Sequence, residues 1–116
     1  MQYMLIVYNN PETQPKPGDD NFEEYIGGYM TCTQEFRDND VMVSGDGLQG
    51  TETATTVRVT NGETQITDGP FAETKEILGG YYILDCKDLD EAIDCAKKIP
   101  GVAYGAIEIR PVMVYE

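Results

Sequence analysis

In the opening run QYMLIVY (2–8), apolar residues fill both alternation sets, Tyr3, Leu5 and Val7 on one side and Met4, Ile6 and Tyr8 on the other. A strand of that kind is expected to be covered on both faces. The next ten residues, NNPETQPKPG, hold three prolines and a glycine and predict a loop, either a connector or a flap. From Asp19 to about Asn39 the period changes. Phe22, Tyr25, Ile26, Tyr29, Thr33 and Phe36 recur at helical spacing and predict one helix. Gly27-Gly28 interrupts that stripe without ending it, so close packing or a bend is expected there.

VMVSGDGLQ (41–49) predicts a second strand. VRVT and ETQIT around Asn61-Gly62 predict a hairpin, because both turn residues accept positive φ. ILGGYYILDC (77–86) predicts another strand. Asp88 followed by Glu91 reads as a capping box that opens a helix faced by Leu89, Ala92, Ile93 and Ala96, and Pro100-Gly101 ends it. GAIEIRPVMVY predicts the last strand. The order is β-α-β, a hairpin, then β-α-β, the α+β ferredoxin-like arrangement, with two helices on one face of an antiparallel sheet. Two helices shield one face, yet several strands are apolar on both sides. The other face is therefore expected to meet a second copy in a homodimer.

At 116 residues the chain is one domain, 1–116, long enough to bury a core without staples. The formal charge of −13 opposes binding to nucleic acid or anionic membranes. Histidine is absent, which excludes His-based triads, His-metal clusters and imidazole bases. Cys32, Cys86 and Cys95 form no C-x-x-C pair, so neither a disulfide framework nor a zinc site is expected. The opening run lacks a basic leader and is too short to span a bilayer, so a cytoplasmic setting is the expectation.

TATTVRV (53–59), TDGPFAETKE (67–76), GGYYILD (79–85), DLDEAIDCAKKIP (88–100) and IEIRPV (107–112) together resemble the DGPF-domain proteins of the YCII-related family. The resemblance implies a dimeric α+β barrel and a polar cleft between helices, sheet and partner. Other YCII relatives carry a His-Asp pair proposed as catalytic, which a chain without histidine cannot reproduce. The Asp of the DGP motif falls on Asp68 and the arginine of the RPV end on Arg110.

Asp68 is the candidate catalytic residue, although Asp-Gly-Pro is also an ordinary turn. Acting as a general acid near pH 7 would need its pKa raised about 3 units, and nearby arginine or lysine pushes the other way. An ionised carboxylate that orients a ligand or accepts a proton is the better reading. Arg58 and Arg110 are candidate anion clamps. Glu73 and Lys75, on the charged connection after the DGP turn, and Tyr82 are further ligand-binding candidates. Phe71 reads as core, and Asp46, between glycines, is a secondary pocket candidate. No cofactor or metal is expected. A small polar or anionic ligand fits these residues, bound by an accessory or regulatory homodimer or turned over by a cofactor-independent enzyme.

Overall fold

The computed structural model describes residues 1–115. Strands β1 (Gln2–Asn9), β2 (Met42–Gly47), β5 (Ile77–Asp85) and β6 (Ala106–Pro111) form an antiparallel sheet in the order β2-β5-β1-β6. Strands β3 (Thr55–Thr60) and β4 (Glu63–Asp68) form a separate hairpin. Helices α1 (Phe22–Asp38) and α2 (Leu89–Lys97) share one buried cluster with Tyr3, Leu5, Val7, Tyr82 and Leu84, so both cover the same sheet face. The expected α+β arrangement is therefore the observed one. Among the described residues no helix is long and apolar enough to cross a membrane.

Alternation explains the two faces. Tyr3, Leu5 and Val7 are buried under the helices, while Met4, Ile6 and Tyr8 are only half-buried. Ile6 pairs with Tyr81 and Glu108, and Met4 with Ile83 and Arg110, so these residues share the open face. The molecule is a plate with extents of 48 × 47 × 18 Å. Its radius of gyration is 16.2 Å, against about 13 Å for a compact chain of this length. The hairpin contributes to that spread: every β4 residue is exposed, Ile66 at 70%.

Local signals act as their chemistry requires. Asn61 (φ 52°) and Gly62 (φ 79°) make the tight hairpin turn. A Cβ on Gly28 would lie 2.8 Å from Pro100 Cγ, so the second glycine of the pair is where the turn after α2 approaches α1. Asp88 caps α2 by accepting from the Glu91 N–H at 2.9 Å. The reciprocal bond lands one residue early, on the Lys87 N–H at 3.1 Å, so the capping box is half-formed. The final strand is shorter than expected. Pro111 lacks an N–H, Val112 makes one more bond to Gln2 O at 2.9 Å, and residues 112–115 leave the sheet.

Candidate functional site

A cavity of about 490 Å³ lies between α1, the β2–β5 edge and the loop 14–17. One wall is the stripe Phe22, Tyr25, Ile26, Tyr29, Thr33 and Arg37, the side of α1 that faces the sheet. The floor is glycine-rich because β2 and β5 pair Gly47 with Gly80 and Gly45 with Tyr82. At Gly45 a Cβ would meet Tyr81 O and Tyr82 Cδ1 at 3.0 Å, and at Gly80 it would meet Asp46 O at 2.7 Å. At Gly47 it would meet nothing within 4 Å, which marks open space above that floor position.

The proline-rich loop closes one end. Buried Pro15 anchors it, Gln14 N–H donates to Asn10 O at 2.9 Å, and Thr13 Oγ1 donates to Tyr104 O at 3.0 Å. Tyr25 packs edge-on against both Tyr29 and Tyr104. Gln14, Pro15, Lys16 and Pro17 thus form one wall of the cavity.

Asn9 and Gln14 line the cavity, but their amide oxygens are sealed from solvent and have no hydrogen-bond partner among the described residues. The missing side chain of Gly79 makes room for the Asn9 amide, whose nitrogen a Cβ there would strike. The Tyr29 hydroxyl is near the same place: a Cβ on Gly101 would lie 2.5 Å from it and 3.6 Å from Asn9 Oδ1. Burial first, then Tyr25, holds the Tyr29 phenol far above its ordinary range, so it stays protonated. Burial also pushes Tyr82 up to about 12, and its hydroxyl exchanges a 2.8 Å hydrogen bond with Thr33.

Lys16 and Arg37 are exposed residues of the cavity lining, and neither forms an ion pair among the described residues. Asp46 and Tyr81 lend it backbone, but strand alternation sends their side chains to the opposite face, where the Tyr81 hydroxyl donates to Asp46 at 2.9 Å. The cavity can therefore hold a ligand against aromatic side chains and open backbone. The three cysteines are free and buried, and burial raises each thiol (Cys86 to about 12), which leaves them poor nucleophiles.

The residues singled out from sequence are dispersed. Tyr82 lines this cavity. Asp68 ends β4, exposed, in a turn held by Gly69 N–H to Ala54 O at 2.7 Å and Thr56 Oγ1 to Gly69 O at 2.8 Å. Gly69 has φ 106°, as the turn reading required. Asp68 pairs with Thr55 and Arg58 with Gln65, so the two project from opposite faces of the hairpin. Glu73 and Lys75 are exposed on the connection that follows. Arg110 lies on β6, its Nε 3.3 Å from Glu108 Oε1, which also accepts from Tyr8 at 3.3 Å. Phe71, expected in the core, is instead 77% exposed and edges a second hollow with Tyr8, Leu48 and Leu78. The DGPF segment leaves the hairpin at the margin of the plate, away from the helix-covered core that would have buried it.

Tyr29, like Tyr82, is a tyrosine expected to reach a cleft, whereas Asn9, Gln14, Lys16 and Arg37 are not among the sequence candidates. A polar residue ending an apolar strand and a phenol and threonine within a helical stripe were the available signals.

An antiparallel ferredoxin-like sheet with two helices on one face, and a polar-lipped cavity under the first helix, defines a small α+β protein with room for an organic ligand. The chain belongs to the YCII-related domain family, whose model matches residues 1–116. It is 32% identical over 118 residues to an uncharacterized protein of Rhizobium meliloti (strain 1021), covering 100% of this chain and 95% of that one. A similar solved structure is the 5-chloro-2-hydroxyhydroquinone dehydrochlorinase of Burkholderia phenoliruptrix AC1100, in complex with 2,5-dihydroxybenzoquinone. It has a TM-score of 0.52 at 13% identity, over 97% of this chain and 94% of that one, a likeness of fold.

Proposed function

We propose that this chain is a small-molecule-binding protein of accessory or regulatory type, that it works as a cytoplasmic homodimer, and that the cavity beside α1 is its ligand site. The observation that carries the proposal is the cavity of about 490 Å³ itself, walled by Phe22, Tyr25 and Tyr29 and open above Gly47, where a Cβ would meet nothing within 4 Å. The dehydrochlorinase solved with a small quinone supports the reading, since a similar fold accommodates an organic molecule elsewhere. The half-buried open face of Met4, Ile6, Tyr81 and Ile83 supports the dimer, because sheet-to-sheet packing would cover it.

A second reading is a cofactor-independent enzyme with Asp68 as base or orienting carboxylate. Its support is the exposed carboxylate of Asp68 in a turn whose bonds come from backbone and Thr56. Arg58, on the other face of the hairpin, would have to clamp an anion from a partner copy. A thermal-shift screen of metabolites against wild type, Gly47→Leu and Asp68→Asn separates the two. Under the first reading, hits vanish in Gly47→Leu and persist in Asp68→Asn. The reverse pattern moves the site to the hairpin.

A further inference from the structure

We infer that the homodimer closes about a two-fold axis running along the strands, so that Arg110 at one edge of the open sheet face meets Asp46 of the partner subunit. This rests on the sheet-to-sheet dimer proposed above and adds its geometry and its charged contacts.

The open face has an apolar centre and charged edges. One cross-strand row reads Asp46, Tyr81, Ile6 and Glu108 from β2 to β6, and the next reads Ser44, Ile83, Met4 and Arg110. The central strands β5 and β1 carry the half-buried apolar side chains, while Asp46 and Arg110 are exposed at opposite edges. An apolar core inside a polar rim is the anatomy of a protein interface. The two edges also differ in charge. Among the described residues of this sheet Arg110 is the only cation, and β2 offers Asp46 alone.

These charges are incompletely paired within one chain. Among the described residues Arg110 has one ionic partner, Glu108, whose Oε1 lies 3.3 Å from its Nε and also accepts from Tyr8. A guanidinium with five N–H donors retains capacity beyond that shared carboxylate. Asp46 accepts from the Tyr81 hydroxyl at 2.9 Å and enters no ion pair among the described residues. A second sheet on this face takes both charges out of water, which is tolerated only where each finds a partner.

A two-fold axis along the strands leaves each row opposite itself with the strand order reversed, so β2 lies over the second copy's β6 and β5 over its β1. Tyr81 then packs on the partner's Ile6, Ile83 packs on the partner's Met4, and Asp46 stands over the partner's Glu108. Arg110 is two residues along β6 from Glu108, about 7 Å in a strand, but its contact with Glu108 draws the guanidinium into that row. It comes to lie between two carboxylates, one from each copy. Packed sheets are about 10 Å apart, a gap that an aspartate and an arginine reaching from opposite sides can close. A two-fold axis across the strands sets β2 over β2 instead and confronts Asp46 with a strand that has no cation.

The test is sedimentation equilibrium of the full chain, of Asp46→Lys, of Arg110→Glu and of the double variant, each checked for folding by circular dichroism. Each single reversal sets like charges together at two equivalent contacts, so the dimer dissociation constant should rise about tenfold or more. The double variant restores opposite charges at both contacts and should return to within about threefold of wild type. Asp46→Asn, which keeps an acceptor for Tyr81, should loosen the dimer by less than Asp46→Lys. Asp46→Lys and Asp46→Asn dimers as tight as wild type, or a double variant no tighter than Arg110→Glu, overturn the inference. If Ile83→Asp still yields single subunits in that case, the dimer through this face stands. Wild-type single subunits in concentrated solution overturn both readings together.

Discussion

Gly47→Leu is the perturbation that separates an open cavity from a packed floor. Gly47 is paired with Gly80 and directed toward α1, and a Cβ there meets nothing within 4 Å. Replacing glycine where the backbone is compatible stabilises by about 0.4–1 kcal/mol through the unfolded chain. Fully burying a leucine side chain adds about 1.5–3 kcal/mol, and in a cavity open to solvent about half of that is expected. Ordering the side chain takes back about 0.5–1 kcal/mol. The balance is a gain of roughly 0.5–1.5 kcal/mol, or a rise of about 2–6 °C in Tm for a domain of this size. Gly80→Ala is the matched opposite. Its Cβ would lie 2.7 Å from Asp46 O and 3.2 Å from Gly47 Cα, both backbone atoms that move only by distorting the β2–β5 ladder. A loss of about 1–3 kcal/mol is expected there. Thermal denaturation followed by circular dichroism, with and without a screening hit, reads both effects. Gly47→Leu should be folded, slightly more stable and blind to the ligand. A Gly47→Leu protein destabilised by more than about 1 kcal/mol would refute the reasoning, because the space it enters would then be filled.

Other substitutions test the packing independently. Gly27→Ala, with open space around its Cβ, should gain about 1 kcal/mol in thermal unfolding, whereas Gly28→Ala, 2.8 Å from Pro100, should gain nothing or lose stability. Tyr82→Phe removes the 2.8 Å bond to Thr33 and should lose about 1 kcal/mol in urea titrations. Because the folded state holds Tyr82 at about 12 against an ordinary 10, its stabilising contribution is complete below pH 10 and is lost as the pH rises toward 12. The wild-type stability should therefore fall over that window, and Tyr82→Phe should flatten part of the slope. Ile83→Asp on the open sheet face should leave the helix-side core folded and convert a dimer to monomer in sedimentation velocity; an unchanged mass would remove that face from the interface.

The elements were legible because each depends on neighbours in sequence. The two-sided apolar pattern of residues 2–8 and the Asn61-Gly62 turn each translate directly into backbone geometry. Even the separation of Asp68 from Arg58 was accessible. A two-residue turn pairs Thr60 with Glu63, and period-two alternation then sends the two side chains to opposite faces. A polar cleft was expected from the family resemblance, but apart from Tyr82 most of the side chains around the cavity were not legible, since they meet through contacts distant in sequence. Asn9 reads as the first residue of a loop until Gly79, on β5, is seen to admit its amide. Gln14 reads as linker until the chain folds back onto Tyr104. Arg37 reads as a cation suited to a helix C-terminus, and only the placement of β2 and β5 makes it the rim of a groove. Glycines at 45, 47, 79 and 80 announce close approach without saying what approaches.

A two-dimensional ¹H–¹⁵N titration of the protein with the first hit of the metabolite screen addresses the ligand site most directly. Amide shifts centred on Asn9, Gly45, Gly47 and Gly79 are the expected result. Shifts confined to Asp68–Lys75, with those glycines unmoved, would contradict it.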